Sequence, residues 1–304
     1  MKLIAPDYYP QFRCIADKCR HSCCIGWEID IDPETRERYR RIPGPFGTRL
    51  NDAIEDGEVS TFRLGENERC PMLNDSGLCD LITALGEDAL CQICADHPRF
   101  RNFYADRTEI GLGLCCEEAA RIILTQETPM RLICLEDDGG SAALPENEAE
   151  LLALRDELIA IVQDASRPLS ARLDALLNTV DFSIPDRNWA EIYRGLERLD
   201  PAWDALLDTL QFPCPAAPKA LETSLGNFAA YMLYRHLPGV LTDDDIPGRV
   251  AFCVLSTQVL ASLCAAKGGC TLADLLEFAR MYSAEIEYDE DNIAALLDAL
   301  WEED

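Results

Sequence analysis

Three features of the 304-residue sequence predict a mainly α protein, in which a cysteine-rich N-terminal module of short irregular elements packs on a C-terminal helical bundle. Eleven of the fifteen cysteines fall before residue 135. From about residue 147 onward, apolar residues recur at the i, i+3, i+4, i+7 spacing of helices that bury one face. Strand-like and helix-like segments nowhere alternate, which argues against a doubly wound sheet. The expected division is 1–135 for the cysteine-rich module, 136–146 for an acidic linker holding Gly139, Gly140, Ser141 and Pro145, and 147–304 for the helical domain.

In chain order, Pro6 and Pro10 keep residues 1–13 extended. Cys14 to Cys24 then place four thiols and His21 in eleven residues with almost no other apolar side chain. Such a loop has no core of its own, so a metal is its natural organiser. Gly26 to Ile31 reads as a short strand or turn. Asp32 as N-cap and Pro33 at the first position open a helix that runs to Arg41. Residues 43–66 are rich in Pro and Gly, with a helical pattern at 50–55. Between Cys70 and Arg99, two short helices are expected at Asp80–Leu85 and Asp88–Cys94, separated by Gly86 and stopped by His97-Pro98. Ile110 to Leu114 leads into Cys115 and Cys116, and Glu117–Leu124 is apolar at helical spacing.

The remaining helices are expected at Glu148–Asp164, Pro168–Leu177, Asn188–Leu199, Pro201–Leu210, Ser224–Leu237, Pro247–Ala266, Leu272–Tyr282 and Asn292–Trp301. No repeat of fixed period is present.

A hydrophobic content of 48% with 27% charged residues is ordinary for a globular protein, and the length suffices for a core without staples. Fifteen cysteines mean disulfides or metal ligands. The first ten residues lack the apolar stretch of a signal peptide, and no apolar run reaches the roughly eighteen residues of a spanning helix. A cytoplasmic protein with reduced or metallated thiols is therefore expected. Residues 1–134 carry 16 Lys+Arg against 23 Asp+Glu, whereas the remaining 170 carry 11 against 32. A surface this acidic repels nucleic acid and anionic membrane and steers a basic, lysine-bearing protein towards it; it also simply keeps helices solvated.

Thiolates suit zinc and iron–sulfur clusters, and short pairs such as Cys19-x3-Cys23 and Cys91-x2-Cys94 bring two ligands to one metal at little loop-closure cost. Three histidines in the chain, and ten thiols between Cys14 and Cys116, favour iron–sulfur. The candidate ligands are Cys14, Cys19, Cys23, Cys24, Cys70, Cys79, Cys91 and Cys94, joined by one of Cys115 and Cys116. Adjacent residues rarely bind one metal together, so each neighbouring pair supplies one ligand, and spacing does not choose between them. Cys134, Cys214, Cys253, Cys264 and Cys270 are expected as core thiols. His21 is a further ligand candidate, His97 a loop hydrogen-bonder and His236 structural. Glu109-Ile-Gly-Leu-Gly has the acidic-x-Gly-x-Gly form of Rossmann-type methyltransferase loops, but it runs into Cys115 instead of opening a helix after a strand. The Cys-x3-Cys-x2-Cys loop of radical S-adenosylmethionine enzymes is absent, because Gly26 stands at its third position.

Four blocks of these residues resemble the flagellin lysine-N-methylases. Cys23 to Asp32 is similar to that family's Cys-Cys-x-Gly-Trp-x-Ile-x-Ile-Asp. Cys70 through Arg99 resembles its Cys-Pro-x-Leu…Gly-Leu-Cys…Leu-Gly-Glu…Leu-Cys-x-x-Cys…Pro-Arg. Leu114 to Arg121 is similar to its Leu-x-Cys-Pro-Glu-Ala-Ala-Arg. Tyr282-Ser283, within Met-Tyr-Ser-Ala-Glu-Ile-Glu-Tyr at 281–288, resembles its Tyr-Ser…Ile-Glu ending. The resemblance spans almost the whole chain, with a weaker one to zinc- or iron-chelating proteins. Read back from Arg121, it places its cysteine on Cys116, replaces its proline with Glu117 and leaves Cys115 as an extra thiol.

The resemblance implies methyl transfer from S-adenosylmethionine to a lysine of a protein, flagellin in that family, with a 4Fe–4S type iron–sulfur cluster on the cysteines. The attacking amine must be neutral, so the site must desolvate the lysine or offer a carboxylate. Glu28, Asp30 and Glu118, close in sequence to the thiol blocks, are the candidates. A competing class is a non-enzymatic binding module whose cysteines hold structural zinc.

Overall fold

A computed structural model describes residues 1–140 and 142–302; Ser141, in the expected linker, lies outside the described residues. Strand β1 (Lys2–Pro6) comes first. There follow β2 (Asp30–Ile31), α1 (Pro33–Arg40), α2 (Gly44–Asp52), β3 (Ile54–Glu55), β4 (Ser60–Phe62), α3 (Asp80–Leu85) and α4 (Gln92–Asp96). Next are β5 (Arg99–Phe103), β6 (Arg107–Leu112), α5 (Glu117–Leu124) and β7 (Leu132–Asp137). The rest is helical: α6 (Glu146–Val162), α7 (Leu169–Thr179), α8 (Trp189–Gly195), α9 (Pro201–Leu207) and α10 (Glu222–His236). It ends with α11 (Val240–Asp243), α12 (Ile246–Lys267), α13 (Leu272–Tyr282) and α14 (Glu290–Trp301). The protein is mainly helical, as the sequence predicts; β2 falls within the short strand or turn expected at Gly26–Ile31, and the other strands are additional.

Two compact units are present: Arg13–Arg99, and Met1–Phe12 together with the chain from Phe100 onward. This differs from a division at 136–146 because the first strand recruits later ones. β1 runs parallel to β6, with Lys2 opposite Arg107, and antiparallel to β7. The resulting four-stranded order is β5-β6-β1-β7, so residues 132–137 are sheet where the linker was expected to begin.

In the Arg13–Arg99 unit, β2, β4 and β3 form a small antiparallel sheet. Its apolar core joins Ile29, Ile31, Tyr39, Leu50, Ile54, Phe62, Met72 and Leu81 to Cys70 and Cys91. Helix α1 starts as expected, with the Asp32 carboxylate accepting from Thr35 N and Pro33 at the first position. The helix expected at Asp88–Cys94 instead starts at Gln92, because Cys91 is extended and acts as its N-cap residue.

The second unit is built around α12, which packs against α7, α10, α13 and α14. By length and mean hydropathy of 1.6 this helix is apolar enough to cross a membrane, but 78% of that window is buried in the protein. It corrects the expectation that no segment reaches that length. Ser256, Thr257 and Ser262 interrupt the apolar run in sequence, while the Ser256 and Thr257 hydroxyls donate back to Phe252 and Cys253 carbonyls and cost the core little. Cys253 and Cys264 are buried as expected; Cys134 is exposed and Cys214 and Cys270 are half-buried. Glu109 of β6 forms a fully buried ion pair with Arg155 of α6. Gly111 is glycine because a Cβ there would strike the Phe100 ring. Packing, not phosphate binding, explains the Glu109–Gly113 motif.

Candidate functional site

Five cysteines from three separate stretches enter the core of the Arg13–Arg99 unit: Cys24, Cys70, Cys79, Cys91 and Cys94. Backbone pairing brings the first two together. Ile25 bridges to Arg69, and Cys70 N donates to Cys24 O at 2.9 Å. A tight hairpin then returns the chain from Cys70 to Cys79. Leu73 bridges to Cys79, Asn74 Oδ1 accepts from Ser76 N and Leu78 N, and Gly77 takes the positive φ of +74° that the turn requires. Cys91 and Cys94 sit on the first turn of α4.

Asp32 fixes that turn to the rest of the unit. One carboxylate oxygen accepts from Thr35 N at the start of α1, and the other accepts from Gln92 N at the start of α4, each at 2.9 Å. Burial opposes ionisation of Asp32, but these N–H groups overcome it and hold the carboxyl below its ordinary value. Asp32→Ala should therefore cost about 1–2 kcal/mol by the usual value of a cap, here with two helix starts released. The wild-type contribution is present above the unfolded carboxyl value of about 3.9 and lost as pH falls through the lower folded one. Urea unfolding followed from neutral pH downward should show the two proteins converging only in acid.

The five thiols perturb one another. Of the Cys91–Cys94 pair, Cys91 is lowered by the hydrogen bond from Cys94, and Cys94 is raised by the same bond and then by burial. Cys24 is held at about 7, first by a hydrogen bond with Cys23 and against burial, with Ser22 and Arg69 assisting. Burial raises Cys70 to about 12, and raises Cys79.

Cys14, Cys19 and Cys23 do not belong to this core, although all three were candidate ligands. Cys14 and Cys23 are exposed; Cys14 Sγ accepts from Ala16 N, and Cys19 Sγ donates to the His21 carbonyl. Cys116 lies in the other unit, half-buried at the start of α5. Glu28 and Asp30 are exposed. Glu118 makes a two-pronged bond with Arg121, both arms at 2.7 Å.

Among the described residues, no three His, Cys, Asp or Glu side chains stand in metal-holding geometry. What the structure shows in this unit is a thiol-rich apolar core. The donor set itself suits a soft metal, because Cys24, Cys70, Cys79, Cys91 and Cys94 share one apolar core, with Arg69 acting on Cys24. His97 adds an orphaned group. Its Nε2 is buried without a hydrogen-bond partner among the described residues, and burial lowers its pKa to about 4. The ring meets Trp27 edge-on at 5.2 Å, and the Trp27 indole donates to Cys23 O.

A second polar cluster, which sequence reasoning missed, lies in the helical unit. Glu287, in a π-turn spanning Ser283–Glu287, accepts from Tyr231 OH at 3.1 Å and meets His236 Nε2 at 2.7 Å. Arg235 donates to Tyr231 OH at 2.8 Å and lies over the rings of Phe100 and Tyr288. The Cys115 thiol bonds to the Tyr288 hydroxyl, and burial raises it to about 12. Although burial opposes it, Arg235 and His236 hold Glu287 at about 2. A carboxylate so firmly ionised is a poor base and a good anchor. The signal was in hand: Leu114–Arg121 and Tyr282–Tyr288, two of the blocks singled out in sequence, meet here.

Comparison with known proteins bears on these blocks. The chain is 27% identical over 217 residues to the lysine-N-methylase of Salmonella typhimurium strain LT2, covering 68% of this chain and 53% of that protein. The lysine-N-methylase of Salmonella choleraesuis strain SC-B67 gives the same figures. The chain resembles the lysine-N-methylases. It is also 28% identical over 134 residues to the flagellar biosynthetic protein FliU of Salmonella muenchen, covering 42% of this chain and 79% of that protein. This lysine-N-methylase-like chain spans about half the length of the methylases it matches. No family model and no solved structure matches it.

Proposed function

We propose that the chain carries out lysine N-methylation of a protein, with S-adenosylmethionine as methyl donor and flagellin as the substrate. The observation that supports this most is the convergence of Cys24, Cys70, Cys79, Cys91 and Cys94 in one core, in a chain similar to lysine-N-methylases. These five thiols would hold an iron–sulfur cluster, with Cys14, Cys19, Cys23 and Cys116 outside that core. Held by three of these thiols, such a cluster would supply one iron free of protein ligand, where the methyl donor could bind. The chain's own share is to bring these thiols into one apolar core and to keep water from Cys70 and Cys91. Glu28 and Asp30, being exposed, can meet an incoming lysine and take up its proton; Glu118 must first leave Arg121.

The test is to incubate oxygen-free protein with flagellin and isotope-labelled S-adenosylmethionine, then read lysine masses by peptide mass spectrometry. Labelled methyl groups on lysine side chains are expected. Their absence, with the protein folded and metal-loaded, would overturn the proposal. A second reading, structural zinc in a binding module, is favoured by the exposures of Cys70 and Cys91, 5% and 0%: structural sites are closed.

A further inference from the structure

A cleft of about 650 Å³ lies between the start of β7 and the C-terminal half of α6. Its lining holds no thiol or histidine among the described residues, so it is not built for the chemistry proposed above. Met130, Leu132 and Ile159 form an apolar floor. Asp156, on α6, and Asp164, just beyond its end, also line the cleft. Both are exposed. The guanidinium nearest Asp156 is Arg155, at 3.4 Å, and it is already committed to Glu109. Asp164 Oδ1 accepts from both the N–H and the hydroxyl of Ser166, and Arg167 and Arg172 also act on its charge.

Gln163 lines the same cleft, and its amide nitrogen is buried with no hydrogen-bond partner among the described residues. β7 is also an edge of its sheet, a place where an extended chain can add. An aliphatic floor and two carboxylates match the stem and the ammonium of an extended lysine-bearing peptide. We propose that this cleft docks such a segment of the protein substrate. The inference rests on the reading that the substrate is a lysine-bearing protein, and assigns this face of the helical unit to holding it.

The test is fluorescence anisotropy with a short, capped, labelled peptide carrying lysines between leucines and serines, and its counterpart with norleucine for lysine. The lysine peptide should bind more tightly and weaken with added salt. Asp156→Asn combined with Asp164→Asn should weaken it about tenfold, as expected for two exposed ion pairs, and leave the norleucine peptide unchanged. Both positions are exposed, so circular dichroism should confirm an unaltered fold. Equal affinity of the variant and the wild type, or of the two peptides, would overturn the docking surface. So would a variant that changes only self-association in sedimentation. Methyl transfer with unchanged KM in the variant would sink the docking site and leave the methylation reading standing. Salt-sensitive, aspartate-dependent binding without any methyl transfer would do the reverse.

Discussion

Replacing Cys91 and Cys94 together by serine is expected to reduce metal per chain from a stoichiometric amount to a trace. Cys91 caps α4, Cys94 lies in its first turn, and the two are hydrogen-bonded in a core with three more thiols. Serine keeps the volume but offers a hard, neutral donor that soft metals bind poorly. Metal coordination in small thiolate sites contributes apparent free energies of about 10–16 kcal/mol, far more than any single packing contact. The Arg13–Arg99 unit should therefore become readily digested by protease in the variant. Cys14→Ser, outside the thiol core, and Cys253→Ser, in the helical unit, should retain full metal. Elemental analysis of the four proteins decides it; a double variant that holds as much metal as wild type would rule out these thiols as the site.

Arg155→Met is expected to be the most damaging single substitution in the helical unit. Glu109 is fully buried, and Arg155 reaches it with two guanidinium nitrogens, the longer arm at 3.1 Å, while lying over the Tyr234 ring. Without the guanidinium, a carboxylate is stranded in an apolar interior. Breaking one side of such a pair costs roughly 3–5 kcal/mol. For a unit of this size, that corresponds to a fall in Tm of about 6–20 °C. Adding Glu109→Gln to the same chain should recover much of the loss, because the stranded charge disappears. Calorimetry on the two single variants and the double variant gives the coupling directly. Additive losses would show that the pair contributes no more than its separate packing.

Features set by neighbouring residues were legible in the sequence. Asp32 and Pro33 announce α1, Gly86 ends α3, and the apolar spacing of Glu117–Leu124 marks α5. What depends on distant partners was not. β1 is five residues long and pairs with strands more than a hundred positions away, so no local period reveals it. The same limit applies to the thiols. Spacing groups Cys19 with Cys23, yet Cys24 enters the core, because the ladder through Ile25 and Arg69 ties it to Cys70. Arg235 gives no sign in sequence that Glu287 and Tyr288 will enclose it, since their helices meet only in the fold.

The central claim is that the thiol core of the Arg13–Arg99 unit is a soft-metal centre. It is tested most directly by measuring iron, sulfide and zinc per chain, with the visible spectrum, on protein purified without oxygen. The protein is expected to be brown and air-sensitive, with about four irons and matching sulfide. Colourless protein with stoichiometric zinc would transfer the site to the structural reading. Metal-free protein whose thiols all react as free cysteines would contradict the claim.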